Sequence, residues 1–212
     1  MLNYLAVAVL CYLAGSIPTA VIYSKFFKGI DIREHGSKNA GATNVFRVLG
    51  PIPGIVVLLL DAAKGYAAVA LISKLQIVQT LDIHPVYLQL LAAVSVSLGH
   101  IFTLFASFKG GKGIATGAGA LLAIIPRELG LGLVVFAIIV YLTRFISLGS
   151  MCAAVFISLL VTVENSFAGY NHPTILIFTC WGLTLLIFYT HRKNIRRLMT
   201  GTEAKVGKKS EK

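Results

Sequence analysis

The order of apolar and polar residues along this chain predicts a membrane protein made of helices. Long apolar runs alternate with short polar segments, and a helix needs roughly 20 apolar residues to cross a bilayer. Seven runs are predicted to be spans: 2–24, 52–73, 86–106, 114–126, 129–146, 148–164 and 173–190. The fourth and sixth runs are short, so we expect them to be tilted, broken or partly re-entrant.

The composition supports this interpretation and leaves no room for a separate soluble domain. Of the 212 residues, 57% are hydrophobic and 13% charged, whereas about a quarter of the residues in a soluble domain are charged. We therefore expect a single polytopic domain over residues 1–212, ending in a basic tail at 191–212. The net charge is +11, and the basic residues that give rise to it flank the apolar runs. This position favours membrane lipid as a partner and argues against nucleic acid.

The basic residues are distributed very unevenly between the two sides that seven spans define. Sixteen of the 19 lysines and arginines fall on one side, and two, Lys74 and Arg127, fall on the other. Cytoplasmic loops are enriched in basic residues, so we expect an outside N-terminus and a cytoplasmic C-terminus. One span more or fewer would scatter the charge. The N-terminus lacks the basic start and cleavage site of a signal peptide, and is expected to be a retained first span.

The cysteines and the outer histidines offer no metal framework. Cys11, Cys152 and Cys180 lie inside apolar runs without a CxxC pattern, and are interpreted as small packing residues. His84 and His172 fall on the outer side and are interpreted as ordinary loop residues.

The first polar segment, His35–Arg47, is basic and contains glycines at two positions. Gly36 and Gly41 allow backbone N–H groups to turn toward a small anion. Arg47 offers a planar fork suited to phosphate. Further donors come from Ser37, Thr43 and Asn44. Composition alone does not separate a phosphate site from an ordinary loop with turn residues.

A second basic segment, Phe108–Thr116, directly precedes an apolar run. Flexible glycines and two lysines at a helix N-terminus favour an anion site. Its candidate ligands are Lys109, Gly110, Gly111, Lys112 and Gly113. It is not a Walker A loop, because Ala106 stands at the leading glycine and Gly113 at the Ser/Thr after the lysine. A positive-inside anchor, or a close-packing face at Gly113, Gly117 and Gly119, is the alternative.

The third segment begins at the end of the last apolar run with His191–Arg197 and continues to Glu203. His191 and Asn194 are three residues apart, so one helical face can present both. A polybasic tail on anionic lipid explains the arginines but requires neither the histidine, the asparagine nor the glutamate.

Isolated polar residues complete the set of candidates. Asp61 and Lys64, at i and i+3 in an apolar run, are interpreted as an intramembrane ion pair or a link to neighbouring helices, with a proton or substrate relay as the alternative. Ser147 either donates to phosphate or caps the sixth span. His100 is interpreted as an interhelical histidine.

These motifs, in this order, resemble the bacterial acyl-phosphate:glycerol-3-phosphate acyltransferases, the PlsY family. The resemblance covers nearly the whole chain, and the run Gly41–Arg47 is its most specific part. The motifs that carry it are Gly15–Pro18, Gly36–Arg47, Asp61–Gly65, Gly99–His100, Lys109–Thr116, Ser147–Gly149 and His191–Glu203.

The resemblance implies an all-α protein with seven transmembrane helices in the bacterial inner membrane and an active site facing the cytoplasm. It implies transfer of a fatty acyl group from acyl phosphate to the 1-position of glycerol 3-phosphate, giving lysophosphatidate and inorganic phosphate. No cofactor and no metal are expected, and we expect a monomer. The H-x4-D signature of acyltransferases that use CoA or carrier protein is absent, because no histidine is followed five residues later by Asp.

The resemblance also assigns roles. It implies catalytic roles for His191, Asn194, Ser37 and Lys109. It implies phosphate binding by Ser37, Arg47, Lys109 or Lys112, and Ser147, and the residues themselves add Asn44 and the glycines 110, 111 and 113 as candidate phosphate ligands. Glu203 is expected to be structural, as are Asp61 and Lys64. Either His191 or the phosphate of the donor accepts the hydroxyl proton.

The chain departs from the family pattern at two positions, and two other classes of membrane protein are alternatives to the enzyme. Lys38 and Thr103 stand where family members usually have Gly and often have Pro, respectively. A transporter would show polar, broken helices at the membrane midplane in repeated halves, and none is found. A membrane scaffold would depend only on its Lys and Arg content.

Overall fold

The structure, a computed structural model, describes residues 1–75, 84–167 and 172–207. Within these residues the fold is built from helices. Three short 3-10 turns lie at Ile32–Glu34, Ile72–Lys74 and Leu104–Ala106. The α-helices are α1 (Leu2–Gly15), α2 (Thr19–Lys28), α3 (Ala42–Leu49), α4 (Pro51–Ala70), α5 (Pro85–Ile101), α6 (Ile114–Leu122), α7 (Pro126–Thr143), α8 (Ile146–Phe167) and α9 (Thr174–Met199). They form two units, Met1–Ile124 with α1 to α6, and a second that begins at Ile125 with α7 to α9.

Six stretches of the described residues are long and apolar enough to cross a membrane, judged by length and composition. They are Leu2–Lys28, Pro51–Lys74, Pro85–Ala106, Pro126–Thr143, Ile146–Ser166 and Thr174–Met199. The predicted fourth span is the nine-residue helix α6, which at 1.5 Å per residue is about 14 Å long against a bilayer core of about 30 Å. The count of seven spans and the orientation of the termini therefore stay predictions.

Several predicted boundaries shift. The sixth run, expected to be short, is the 22-residue helix α8. The last helix runs nine residues beyond 190 to Met199, so the basic tail begins within α9, and His191 and Asn194 lie on one helix as predicted. Residues 208–212 of the predicted basic tail lie outside the described residues. The single domain over residues 1–212 also stays a prediction.

The first apolar run is broken where Pro18 cannot continue a helix. The break leaves carbonyls of the preceding turn without helical partners, and lipid offers none. Thr103 donates its hydroxyl to the Ser16 carbonyl, and Lys64 Nζ donates to the Ile17 carbonyl at 2.9 Å. Side chains from two other helical segments therefore satisfy the break.

The first polar segment, interpreted from sequence as a loop, contains a helix with one strongly apolar face, α3. Its Val45 is fully buried in a cluster whose other buried members are Ala20, Val21, Ile32, Ala40 and Val57. A Cβ on Gly54 would lie 2.6 Å from Phe46 Cβ, so α3 and α4 approach closely. This small core ties the polar segment to α2 and α4.

Glycines allow α6 to lie directly against α4. A Cβ on Gly65 would lie 2.0 Å from the Thr116 carbonyl oxygen, and one on Gly119 would lie 1.9 Å from the Ala62 oxygen. Small residues let backbones approach in this way when lipid supplies no hydrophobic driving force between helices. Ala120 joins the fully buried cluster of this unit, which includes Val7, Val69 and Val96 from α1, α4 and α5.

In the second unit, α8 lies between its neighbours. A Cβ on Gly132 of α7 would lie 2.5 Å from the Ile157 side chain, and one on Gly149 of α8 would lie 2.6 Å from Val140. On the other side, the hydroxyls of Ser158 and Thr184 are 2.9 Å apart. Close packing joins α7 to α8, whereas buried hydroxyls join α8 to α9.

We predict that Gly119→Ala destabilises the protein by about 2 kcal/mol or more, because the new methyl group meets a backbone carbonyl that cannot move aside. Gly117→Ala in the same helix is the control. Its Cβ would lie 3.8 Å from Ser97 Oγ, an ordinary contact, so stability stays equal or rises slightly. Thermal unfolding of the purified variants in detergent measures both, and equal melting temperatures would contradict the close approach.

Candidate functional site

Asn44 holds the first candidate phosphate segment in shape. Its side chain is buried at the start of α3, where Oδ1 accepts a hydrogen bond from the Ser37 N–H at 2.8 Å. Its Nδ2 donates to the carbonyls of Ile32 and His35, both at 3.0 Å. Both amide hydrogens are therefore committed in this conformation, and the side chain positions the turn that carries Ser37. A direct phosphate contact by Asn44 stays a prediction that requires an exchange of partners.

The turn around Ser37 uses left-handed backbone on both sides. Gly36 has φ +57°, and a Cβ there would lie 2.4 Å from Asn44 Oδ1. Lys38 has φ +59°, a conformation that favours glycine, and it is the position where the family pattern usually has Gly. The departure therefore keeps the glycine backbone conformation, adds a positive charge and strains the chain by about 1 kcal/mol. Ser37, Lys38 and Arg47 all have exposed side chains.

An ion pair that sequence reasoning missed supports the same segment. Arg33 donates to both carboxylate oxygens of Asp31 and, through NH1, to the Ala106 carbonyl at 3.1 Å. The hydrogen bond from Arg33 holds the pKa of Asp31 well below its ordinary value, and the same bond raises the pKa of Arg33. This arginine is thus neutralised and links the first polar segment to the turn after α5.

The second candidate segment folds back onto the end of α5. The N–H groups of Gly110 and Gly111 donate to the carbonyls of Ile101 and His100, both at 3.2 Å. A Cβ on Gly110 would lie 2.0 Å from the His100 oxygen, and one on Gly111 would lie 2.2 Å from His100 Nε2. Close packing therefore explains both glycines. Their binding of phosphate through these N–H groups stays a prediction.

Of the lysines in that segment, Lys109 is exposed and Lys112 is half-buried. Gly113, between Lys112 and α6, has φ +81° and gives α6 its starting direction. Gly117 makes no close approach, and Gly119 packs against α4. The sequence offered Gly113, Gly117 and Gly119 as an alternative close-packing face. Of the two in α6, only Gly119 makes such a close contact.

A buried polar cluster lies directly behind this segment. Asp61 accepts a hydrogen bond from Thr19 Oγ1 at 2.6 Å and lies 2.8 Å from Lys64 Nζ. His100 Nδ1 lies 3.5 Å from Asp61 Oδ1 and 3.0 Å from Thr116 Oγ1. The ion pair is therefore embedded in contacts to α2, α5 and α6, and it connects the Pro18 break to the histidine under Gly111.

In the second unit, Glu203 collects three donors. Ser147 Oγ and Asn194 Nδ2 donate to Oε1 at 2.8 and 2.6 Å, and Arg197 Nε donates to Oε2 at 2.6 Å. Burial raises the pKa of Glu203, but the hydrogen bonds from Arg197, Asn194 and Ser147 outweigh it, so the pKa lies below its ordinary value. The Glu203 carboxylate therefore connects the chain beyond α9 to the start of α8 and to the last turns of α9.

His191 is buried on the same face of α9 as Asn194. Its Nδ1 lies 2.8 Å from the Ile187 carbonyl oxygen, which can only accept a hydrogen bond. Nδ1 therefore carries the proton, and in the neutral ring Nε2 carries the lone pair. The backbone of α9 thus sets the tautomer that a general base at Nε2 requires. Ser147, by contrast, gives its hydroxyl hydrogen to Glu203 in this conformation.

Sequence reasoning identified the charged members of these clusters better than their hydroxyl partners. Thr19 and Thr116 received no role, although each contacts the Asp61 and His100 group. A threonine within an apolar helix gives no sequence signal, because its hydroxyl can bond its own backbone instead. Asp31 and Arg33, two residues apart in a polar segment, did offer a signal.

We predict that Glu203→Gln loosens the chain after α9, because an amide oxygen replaces a carboxylate that accepts from three donors. Cleavage by a protease near residues 200–205 should rise several-fold in the variant at neutral pH. A depressed folded-state pKa stabilises the fold above the unfolded value of about 4.3, and this stability is lost as pH falls through the folded-state value. The wild type should therefore loosen on acidification, and the variant should not loosen further; equal cleavage at neutral pH would contradict the role.

Comparisons with known proteins identify the family to which the chain is similar. A sequence model described as glycerol-3-phosphate acyltransferase matches residues 5–201. The chain is similar to the glycerol-3-phosphate acyltransferase of Pelodictyon phaeoclathratiforme, at 43% identity over 99% of this chain and 100% of the relative. It is also similar to that of Bacillus subtilis, at 46% identity over 93% of this chain and 95% of the relative.

Among solved structures, the chain is similar to PlsY, an integral membrane glycerol 3-phosphate acyltransferase, in its glycerol 3-phosphate form. The TM-score is 0.82 at 32% identity, with 96% of both chains covered. The lysophosphatidic acid form of PlsY gives a TM-score of 0.80 at 32% identity, covering 96% of this chain and 95% of that one. The resemblance inferred from the motifs is thereby confirmed: the chain is a multi-pass membrane protein and belongs to the glycerol-3-phosphate acyltransferase family, the PlsY family.

Proposed function

We propose that this protein transfers a fatty acyl group from acyl phosphate to the 1-position of glycerol 3-phosphate, releasing lysophosphatidate and inorganic phosphate. The observation that carries the proposal is the identity of 43% and 46% to glycerol-3-phosphate acyltransferases over nearly the full length of both chains. Two hydrogen-bonded frameworks, around Asn44 and around Glu203, support it, because they hold predicted site residues in ordered positions.

Acyl phosphate as donor fits the chemistry of the chain. Both substrates carry phosphate, and the first unit presents exposed basic side chains on the Ser37–Arg47 and Lys109–Gly113 segments. An acyl phosphate is a mixed anhydride with a good leaving group, so its attack by a hydroxyl requires positioning more than strong activation. The missing H-x4-D signature argues against acyl-CoA and acyl carrier protein as immediate donors.

In the proposed reaction, the 1-hydroxyl oxygen of glycerol 3-phosphate attacks the acyl carbonyl carbon. The carbon–oxygen bond to the donor's phosphate then breaks, and that phosphate leaves. We assign phosphate binding to Ser37, Arg47 and the lysines at 109 and 112. Since Gly110 and Gly111 already donate their N–H groups, we assign stabilisation of the oxyanion to a lysine rather than to these backbone groups.

The hydroxyl proton has two candidate acceptors, His191 Nε2 and the donor's own phosphate. The contact from His191 Nδ1 to the Ile187 carbonyl supports the first, because it leaves the lone pair on Nε2. Asn194 is proposed to act beside His191 and is itself held by Glu203. Ser147 contributes to phosphate binding in this proposal only if its hydroxyl exchanges Glu203 for substrate.

We further propose seven membrane passes, an outside N-terminus and a cytoplasmic C-terminus. The seventh pass combines the non-helical residues 109–113 with α6. Gly110 and Gly111 are bonded to the C-terminal end of α5, whereas Ala123 and Ile124 pack on a cluster that includes Leu88, near the other end of α5. Non-helical backbone is tolerated at membrane depth where protein buries it, as it does at Gly111 and Gly113. In this proposal the enzyme is a monomer in the bacterial inner membrane, and its reaction uses no metal or cofactor.

We predict that Arg47→Ala and His191→Ala each lower turnover by roughly 100-fold, since one removes a charged phosphate contact and the other a proton acceptor or donor. The assay follows lysophosphatidate and phosphate release from acyl phosphate and glycerol 3-phosphate. Wild type should turn over in the presence of a metal chelator and give no product from acyl-CoA. His191→Gln distinguishes between the two candidate proton acceptors, His191 Nε2 and the donor's phosphate. If this variant is far more active than His191→Ala, the donor's phosphate accepts the proton.

The matched controls are Arg192→Ala and His84→Ala. Arg192 is an exposed arginine that contacts the carbonyl and ring of Tyr189, and His84 caps the start of α5. Both variants should stay within about twofold of wild type. If the protein were a scaffold that depends on basic charge alone, Arg47→Ala and Arg192→Ala would have equal effects. Normal turnover in both Arg47→Ala and His191→Ala would reject the proposed site.

We predict the topology from single cysteines placed in a variant whose three native cysteines are replaced. A membrane-impermeant maleimide applied to intact cells should label Lys74→Cys and Arg127→Cys but not Lys109→Cys or Arg144→Cys. Permeabilised cells, the control, should show labelling at all four positions. If α6 did not cross, the labelling at Arg127 and Arg144 would be reversed, because every later segment would change sides.

A further inference from the structure

The end of the second unit opposite His191 holds a cluster that the proposed reaction does not use. Glu128 at the start of α7, Glu164 near the end of α8 and His172 just before α9 each offer a ligand atom, and these atoms lie within 4.8 Å of one another. Helix α7 has 18 residues and is therefore about 27 Å long, which separates this cluster from the turn before Ser147.

Glu164 is the unusual member of the cluster. Its side chain is 6% exposed, and neither carboxylate oxygen accepts a hydrogen bond from the residues that the structure describes. Buried carboxylates normally have such donors, because removing their charge from water is expensive. Arg127 NH1 lies 3.2 Å from Glu164 Oε1 and supplies positive charge, and His172 Nε2 lies 3.5 Å from Oε2, but neither contact has good hydrogen-bond geometry.

We propose that Glu128, Glu164 and His172 bind a Zn²⁺ ion that joins the three helices of the second unit at this end. One imidazole nitrogen and two carboxylate oxygens are a ligand set that zinc accepts, with water completing the coordination. Ligands at about 2.1 Å in a tetrahedron are about 3.4 Å apart, so the observed spacing requires each atom to move by about 1 Å. A divalent cation also neutralises both carboxylates, whereas Arg127 supplies a single positive charge.

Arg127 is the competitor in this arrangement. Its side chain is 55% exposed, and its NH1 lies 3.9 Å from Glu128 Oε1 as well as 3.2 Å from Glu164 Oε1. An exposed guanidinium can swing into water when a metal ion arrives. Substitutions in this cluster should therefore have opposite effects on metal binding. Removing the carboxylate of Glu128 or Glu164 weakens it, and removing the guanidinium of Arg127 strengthens it.

The test uses the purified full-length protein, without an affinity tag, and Co²⁺ as a spectroscopic probe that Zn²⁺ displaces. We expect one equivalent of Co²⁺ to give the strong visible absorption of a four- or five-coordinate ion, and Zn²⁺ to raise the melting temperature. Glu164→Gln and His172→Gln should each weaken binding by tenfold or more and abolish the stabilisation. Arg127→Gln should bind Co²⁺ severalfold more tightly than wild type.

The matched control is His84→Gln, which removes a histidine that is not part of the cluster and should leave the Co²⁺ spectrum unchanged. The gain expected for Arg127→Gln keeps the test decisive even if a ligand variant folds poorly. The proposal is overturned if wild type binds no stoichiometric Co²⁺, if Glu164→Gln and His172→Gln bind as well as wild type, or if Arg127→Gln binds more weakly.

Discussion

Lipid provides no hydrogen-bond partners, so each polar group between the helices of this protein must be satisfied by the protein itself. The Pro18 break illustrates the consequence. It frees carbonyls in the first span, and Thr103 and Lys64 donate to them. Lys64 in turn requires Asp61, and Asp61 draws in Thr19 and lies near His100. A single interruption of one helix thereby fixes contacts among four helices and places His100 under Gly111, in the segment assigned to phosphate binding.

The candidate site segments are held by a few side chains whose hydrogen-bonding capacity is largely used. Asn44 fixes the Ser37 turn through three bonds, and Glu203 fixes Ser147 and Asn194 through two more. Ordered segments require less entropy loss when a substrate is bound, which is the physical basis of preorganisation. The same logic distinguishes among the basic residues. Arg33 and Arg197 are paired with carboxylates and stabilise structure, whereas Arg47 and Lys109, which are proposed to bind phosphate, have exposed side chains.

Hydropathy was sufficient to predict the long helices, because it depends on residue composition averaged over many positions, whereas the family was identified from the order of its motifs. Local geometry was less accessible. The helix α3 was interpreted as a loop because its eight residues are too few for a periodic signal within a polar stretch. Gly110 and Gly111 were interpreted as anion ligands, yet their packing against His100 is visible only when α5 and the segment are folded together. Thr116 ends one of the motifs that carry the resemblance, but nothing in the sequence predicted its contact with His100. Contacts between distant segments set these roles, and sequence spacing does not encode them.

The buried carboxylates of this chain differ in role according to the donors around them. Glu203 accepts three hydrogen bonds, which hold its pKa below the ordinary value, and it serves to position its neighbours rather than to transfer protons. Asp61 has one hydroxyl donor and one ammonium group, which suits a fixed internal link. Glu164 is equally buried but accepts no hydrogen bond from the described residues, and a half-exposed arginine is 3.2 Å away. Desolvation of that carboxylate is then incompletely offset, and a divalent cation with a second carboxylate and an imidazole offsets it better than one half-exposed guanidinium does. The number and geometry of donors, more than burial itself, therefore separate a structural carboxylate from one that is available to bind a ligand.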